Sequence, residues 1–456
     1  MHLTQWKHAD PQQVRLSAEI LRSLEAAGHT ACWVGGCVRD ELIGRPVNDM
    51  DIATSARPEE VTGLFERTVP TGIEHGTVTV VMEKIPFEVT TFRTESDYKD
   101  FRRPEEVTFV RSLDEDLRRR DFTMNAIARR PDGEYVDPYG GRTDLAKGVI
   151  RCVGDARERF REDALRMLRG VRFASVFGFE LEPRTWEAML ELRDNMRHIA
   201  AERIRAELEK MLGGTRPAEG LRLLERSGLL AEAKIRLTPQ ALASARPERL
   251  GALPPKPAEL RWAALLQGLG VSGDEAETLL KSWTFSGGFA KSAAALLRID
   301  ARMGAGDLEA GAGKANEAEK AAVRAGEAGE EHAAGGERRK LSFVRCVLDF
   351  GRAAAENWLL YRSALNGEDE AAAARRESAS AWLAEIPAES PRELALGGNE
   401  IVGRLSRKPG PWLGALIRQL LEGAAMGRFA NEREALLAEI ARLEEEKGMI
   451  EEAPTE

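Results

Sequence analysis

Two aspartates stand one residue apart in Val47-Asn48-Asp49-Met50-Asp51-Ile52-Ala53-Thr54, between apolar flanks. Residues i and i+2 of a β-strand share a face, so a strand over 47–53 sets Asp49 and Asp51 side by side and turns Met50 into the core. Two unit charges about 4 Å apart repel by about 4 kcal/mol at an effective dielectric near 20. A divalent cation relieves that repulsion. Carboxylate oxygens in this number suit Mg²⁺, which keeps waters and takes its other ligands from phosphates. The expected chemistry is metal-dependent phosphoryl or nucleotidyl transfer. A third carboxylate belongs on a neighbouring strand. Glu88 in Phe87-Glu88-Val89 is the candidate, with an ordinary exposed strand position as the equal alternative.

Three further clusters carry groups for a phosphate-rich ligand. Gly35-Gly36 lets the backbone approach a phosphate, the helix that follows offers free N–H groups, and Arg39 neutralises charge. Arg118-Arg119-Arg120-Asp121-Phe122-Thr123-Met124-Asn125-Ala126 runs from charge straight into apolar residues, so part of it borders the core. Within it Arg120 suits a triphosphate and Asp121 suits ribose hydroxyls. In Arg161-Glu162-Asp163-Ala164-Leu165-Arg166-Met167-Leu168-Arg169-Gly170-Val171-Arg172, a helix places Asp163, Arg166 and Gly170 on one face with Arg169 beside them. An i,i+3 salt bridge is the plain explanation of that spacing. Base chemistry offers another. Cytosine and adenine each present an amino donor beside a ring-nitrogen acceptor, which one Asp acceptor and one Arg donor complement. Uracil and guanine present the reverse pattern. An Asp163–Arg166 pair thus accepts C and A and leaves buried polar groups unpaired against U and G.

The elements that must hold these residues follow from periodicity. Pro11 to Gly28 reads as a helix, His29 to Val34 as a strand and Val38 to Leu42 as a second helix. Another helix starts at Pro58. Thr77 to Met82 and Pro86 to Phe92 read as a strand pair turning at Glu83-Lys84. Ser96 to Pro104 is polar and reads as a mobile loop, Asp114 to Ala128 as helical at its core, and Asp137-Pro138-Tyr139-Gly140-Gly141 as a turn. From Val153 onward the spacing is helical, beginning with one helix over Ala156 to Phe177. A proline-rich joint lies at Arg246 to Lys256. Ala305 to Gly336, rich in Gly, Ala and Glu, reads as a flexible or weakly helical insertion. The organisation expected is residues 1–150, 151–215, 216–302, 303–340 and 341–456.

Composition narrows the class. A chain of 456 residues, 43% hydrophobic and 31% charged, reads as soluble, globular and multidomain. No run of 18 apolar residues and no signal-like N-terminus exists, so a cytoplasmic protein without membrane contact is expected. Cys32, Cys37, Cys152 and Cys346 make no metal pattern and read as reduced, buried thiols. A net charge of −9 argues against indiscriminate nucleic-acid binding. Arginines nevertheless cluster before residue 175, where a phosphate-rich ligand finds its site.

These motifs, in this order, resemble those of class II tRNA nucleotidyltransferases, the CCA-adding enzymes, which share a superfamily with bacterial poly(A) polymerases. Lys408-Pro409-Gly410-Pro411-Trp412 resembles the Gram-positive bacterial type. The resemblance implies an α+β fold: a nucleotidyltransferase (polymerase-beta-like) head with a mixed sheet, then an all-α neck, body and tail. It implies Asp49 and Asp51 on Mg²⁺, with Gly36 and Arg39 at the nucleotide. It also implies Arg120, Arg169 and Arg172 at ribose and phosphates, and Asp163 with Arg166 at the base. The implied partners are tRNA, CTP and ATP, with helical domains holding the acceptor arm by its backbone and with homodimers common. Rivals are a poly(A) polymerase, relatives adding only CC or only A, and an inactive RNA-binding module. The acidic chain disfavours the first, the 96–104 segment the CC-only kind, and the retained aspartates the last.

Overall fold

The computed structural model describes residues 6–99, 103–311, 328–365 and 370–451. The chain forms two compact units, Met1–Gly251 and Ala252–Glu456. Their division falls inside the proline-rich joint.

In the first unit, helix α1 (Pro11–Ala26) starts at Asp10, whose carboxylate accepts from the N–H groups of Gln12 and Gln13. Its Leu16, Ile20, Leu21 and Leu24 are buried at 1% exposure or less. They cover a seven-stranded mixed sheet in the order β3-β4-β5-β2-β1-β8-β9. The strands are β1 (Ala31–Val34), β2 (Ile52–Thr54), β3 (Thr68–Gly72), β4 (Thr77–Met82), β5 (Ile85–Thr91), β8 (Ala128–Arg129) and β9 (Tyr135–Val136). Within this sheet only β2 and β5 pair in parallel, with Ile52 opposite Val89. Trp33 on β1 is fully buried, and its indole N–H donates to Ser17 Oγ on α1. Helices α2 (Gly36–Leu42), α3 (Pro58–Leu64), α4 (Leu113–Arg118) and α5 (Gly141–Lys147) complete this part. Glu83 and Lys84 take left-handed backbone at the turn between β4 and β5. The two-residue strands β10 (Val149–Ile150) and β11 (Glu180–Leu181) pair in parallel. Then come α6 (Ala156–Glu162), α7 (Leu165–Phe177), α8 (Pro183–Leu192), α9 (Ala201–Leu212) and α10 (Pro217–Ser227), with α7 packed on α9 and α10.

The second unit is helical in its described residues. It includes Glu259–Gly268, Gly273–Ser282, Gly287–Gly311, Ala328–Phe350, Arg352–Leu365, Glu370–Glu385, Gly398–Leu405, Pro411–Ala425 and Arg433–Glu451. Leu396, Ile401, Leu420, Leu436 and Ile440 build a core near its end. All four cysteines are buried and unpaired. Among the described residues no helix is long and apolar enough to cross a membrane.

Four local expectations are corrected. The strand carrying the aspartates begins only at Ile52, not Val47. Its partner β1 ends at Val34, where Gly35 turns away at φ +70°, so residues 48–50 have no ladder to join. The 96–104 segment is not a loop throughout. β6 (Arg93–Lys99) and β7 (Arg103–Phe109) pair from Arg93 opposite Phe109 to Lys99 opposite Arg103. An isolated two-stranded ladder pairs its backbone without apolar alternation, which hides it from a hydrophobic pattern; residues 100–102 lie outside the described residues. The helix expected at 114–128 is only α4, followed by a 3-10 turn at Thr123–Asn125 and then β8. The helix expected over 156–177 is two, α6 and α7, broken where Asp163 adopts φ −141°, ψ 104°. The 305–336 segment is helical over 305–311 and 328–336, and residues 312–327 lie outside the described residues.

Candidate active site

The Gly-Gly turn joins β1 to α2, and its shape requires glycine. Gly35 has positive φ, and a Cβ there would sit 3.0 Å from Arg120 Nη1. Arg120 therefore lies over the turn. It is held by Asp116 Oδ2 at 3.0 Å and by the Asn125 carbonyl at 3.4 Å, while its Nε is buried without a hydrogen-bond partner. Burial alone would raise the Asp116 carboxyl, but Arg120 and Arg119 hold it below the usual carboxylate range. Arg39 projects from α2 beside Gly36. Its Nη1 donates to Asn125 Oδ1 at 2.7 Å, its Nε and Nη2 to the Asp40 carboxylate, and its guanidinium lies over the rings of Phe173 and Phe177.

Asp49 and Asp51 keep the alternation expected of them although they precede the strand. Met50 between them is buried at 3% exposure, Asp49 is exposed and Asp51 partly buried. The Asp51 carbonyl accepts from Val34 N at 3.1 Å, which fixes the segment against the end of β1. Neither carboxylate takes a hydrogen bond or ion pair from a described residue. The Asp51 carboxyl is pushed up to about 6, first by burial and then by the Glu88 and Asp49 charges, against the pull of Arg120 and Arg39. Glu88 neighbours Asp51 through the parallel β2–β5 register and is exposed. Its charge bears on the Asp51 carboxyl, and among the described residues no group of three His, Cys, Asp or Glu side chains converges to hold a metal. A cation held here would have the two aspartates as its carboxylate donors and would complete its shell from a ligand and water, a donor set that suits Mg²⁺.

The pair expected to read the base, Asp163 and Arg166, is not assembled as the helical spacing predicts. Asp163 lies at the break between α6 and α7, so it shares no helical face with Arg166. Its carboxylate is held by Arg203 of α9, Nη2 to Oδ2 at 2.6 Å and Nη1 to Oδ1 at 3.2 Å, and also accepts from Leu165 N. Arg166 is buried at 8% exposure. It donates to Glu162 Oε2 and to the carbonyls of Arg159 and Arg119. Asp121 likewise is not presented to a ribose. Its carboxylate, 7% exposed, accepts from Arg169 Nε at 2.8 Å, Asn125 Nδ2 at 2.9 Å and Phe122 N at 2.8 Å, and pairs with Arg169 Nη2 at 2.6 Å. Although burial opposes it, Arg169 and Asn125 hold this carboxyl far below the usual range. Arg172 donates to buried Glu207 on α9 and lies 3.8 Å over Phe173.

Several residues that hold the site were not singled out from sequence. Asn125 bridges Arg39 to Asp121, so the Gly-Gly turn and α7 share one hydrogen-bonded chain. Asp116, four residues before Arg120, signals an i,i+4 ion pair. Arg203 and Glu207 lie some forty residues from their partners on another helix, and no local spacing reports them. The Asp137 turn is structural. Its carboxylate caps α5 by accepting from Gly141 N and Arg142 N, and a Cβ on Gly141 would meet the Thr123 carbonyl at 2.1 Å.

A glycine turn, two unpaired aspartates and an arginine array thus meet at one end of a mixed sheet. The family model of the poly(A) polymerase head domain matches residues 31–151. A second, described as "Probable RNA and SrmB- binding site of polymerase A", matches 178–234, and a tRNA nucleotidyltransferase domain 2 model matches 351–440. The chain is 38% identical to the CCA-adding enzyme of Geobacillus stearothermophilus over 92% of its own length and 94% of the relative's. It belongs to the CCA-adding enzymes. The CCA-adding enzyme of Bacillus cereus strain AH820 is 37% identical over 93% of this chain and 97% of its own. The crystal structure of the Bacillus stearothermophilus CCA-adding enzyme in complex with CTP is 34% identical. It superposes at a TM-score of 0.76 over 96% of this chain and all of that one. The Thermotoga maritima CCA-adding enzyme complexed with tRNA, 17% identical at a TM-score of 0.57, shares the fold. The protein is a tRNA nucleotidyltransferase with a polymerase-beta-like head followed by helical domains.

Proposed function

We propose that this tRNA nucleotidyltransferase adds C, C and A in turn to the 3′ end of tRNA from CTP and ATP, without a nucleic-acid template, releasing pyrophosphate. The observation that carries this reading is the unpaired Asp49–Asp51 pair beside the glycine turn and Arg39, Arg120, Arg169 and Arg172. Enzymes of this family are metal-dependent, and the carboxylates fit Mg²⁺: two hard oxygen donors without a partner among the described residues, one of them destabilised as an anion by burial and charge. Bound there, Mg²⁺ would lower the pKa of the primer 3′-hydroxyl and neutralise charge on the departing pyrophosphate. The remaining work is positioning. Gly36 lets the triphosphate approach the backbone, while Arg39, Arg169 and Arg172 bind phosphate oxygens from above the Phe173 ring. Arg120, with an unsatisfied buried Nε, serves the nucleotide's ribose and phosphates. Asp163 accepts from the amino group of C or A and Arg166 donates to the adjoining ring nitrogen.

The roles of residues 1–150 as catalytic head, 151–215 as neck, 216–302 and 341–456 as tRNA-holding body and tail, and 303–340 as insertion are part of this proposal. So are a cytoplasmic location and a homodimer. The decisive assay gives the purified protein tRNA transcripts lacking CCA, CA or A, with labelled CTP or ATP and Mg²⁺. Ordered completion of all three supports the proposal. Addition of A alone to the transcript ending in CC indicates an A-adding enzyme, A-tailing of unrelated RNA a poly(A) polymerase, and no product refutes the catalytic reading.

A further inference from the structure

We propose that Arg203 is a specificity-determining residue, holding Asp163 as a fixed, acceptor-only carboxylate at the base-reading edge. This rests on the assignment of Asp163 and Arg166 to base recognition. Asp163 occupies the single residue of extended backbone between α6 and α7, where the only local restraint on its side chain is the Leu165 N–H at 3.1 Å on one oxygen. Instead Arg203 reaches across from α9 and donates one N–H to each carboxylate oxygen, at 2.6 and 3.2 Å. Arg166 is fixed separately, by the Glu162 carboxylate and the carbonyls of Arg159 and Arg119. Donor and acceptor of the reading edge are thus set by two independent ion pairs on two different elements, and the packing of α7 on α9 sets their spacing.

The consequence is chemical. Rejection of uracil requires that Asp163 face the O4 atom with a lone pair and be unable to turn aside. A carboxylate bonded at both oxygens to one planar guanidinium meets both conditions, because rotating it breaks two charge-assisted hydrogen bonds at once. Without Arg203, Asp163 is tied only by Leu165 N and can turn from O4. Cytosine, whose amino group attracts the carboxylate, loses less. Arg203 therefore acts through Asp163, as a positioning residue, and the quantity it controls is discrimination more than rate.

The test compares kcat/KM for CTP and for UTP on a tRNA transcript lacking CCA, in the parent, R203Q, R203K and D163N. The expected result is a CTP/UTP ratio lowered about tenfold or more in R203Q, the loss expected for a charge-assisted hydrogen bond. D163N is lowered at least as far, R203K falls between parent and R203Q, and D163N/R203Q is no worse than D163N alone. A ratio in R203Q within twofold of the parent, with D163N relaxed, overturns the inference and leaves the base-reading assignment standing. An unchanged ratio in D163N overturns both. Because Arg203 is a partly exposed side chain, R203Q is expected to fold; if circular dichroism shows otherwise, the R203K ratio decides, a fall supporting and parity overturning.

Discussion

Replacing Asp121 by Asn removes one negative charge and no volume from the joint that ties the Gly-Gly turn to α7. In the parent this carboxylate, 7% exposed, accepts three hydrogen bonds, one of them from Arg169 Nε at 2.8 Å, and pairs with Arg169 Nη2 at 2.6 Å. An Asn offers one oxygen and turns an N–H₂ group toward donors. Hydrogen bonds to charged groups contribute about 1.5–3 kcal/mol each, and leaving one partner of a buried pair uncompensated costs about 3–5 kcal/mol. Arg169 is one-third exposed and recovers some hydration, with Glu207 at 3.9 Å as a second neighbour, so about 3 kcal/mol is the expected loss. At about 2–4 °C per kcal/mol for a unit of this size, the transition of the first unit drops by about 6–12 °C in calorimetry. The pH dependence has a definite sign. The folded-state pKa of Asp121 is depressed, so its contribution is fully present above the unfolded value of about 4 and is lost as pH falls toward the folded value. The gap between parent and variant is therefore wide at pH 7 and narrows in acid. Arg169, freed from its anchor, binds nucleotide less well, so KM for CTP rises more than kcat falls. A D121N melting transition within about 1 °C of the parent at pH 7, with unchanged KM, would refute the reasoning.

Other outcomes follow from the same geometry. D49A and D51A each abolish nucleotide incorporation while tRNA binding, measured by filter retention, stays near the parent's; substantial residual Mg²⁺-dependent transfer in either variant contradicts the assignment. Because the Asp51 carboxyl is pushed up to about 6, a cation must displace its proton in acid. Apparent Mg²⁺ affinity should then fall about tenfold per pH unit below that value and level off above it, which titration calorimetry of the parent reads directly. A flat profile between pH 5 and pH 8 contradicts it. G141A drives a Cβ into the Thr123 carbonyl, 2.1 Å away, and should cost about 1–3 kcal/mol in melting experiments, or prevent folding. D163A should relax discrimination against UTP, and unchanged selectivity places base reading elsewhere.

What the sequence determined by itself is the inventory and its order. Gly35-Gly36, Arg39, the two aspartates and the arginine runs were legible because each is a short, local grammar: a turn needing glycine, an i,i+2 pair, a charge run entering an apolar segment. The mixed sheet followed by helices was legible because hydrophobic period changes from two to near four around Val153. Side-chain partnership was not legible. Asp163 and Arg166 have the spacing of a helical pair, yet Asp163 sits in the break before α7; Arg166 is satisfied by its i,i+4 neighbour Glu162, and Asp163 by Arg203 on α9, which no local spacing reveals. Asp121 has the composition of a ribose ligand, and only tertiary packing shows its lone pairs already spent on Arg169, Asn125 and its own neighbour's amide. The physical reason is common to both cases. A charged group entering low dielectric must find its counter-charge wherever the fold brings one, and that distance is set by helix packing and strand register rather than by separation along the chain. The same holds for the opening aspartates, whose placement comes from one hydrogen bond to β1 and a buried Met50, not from the longer strand their pattern suggests.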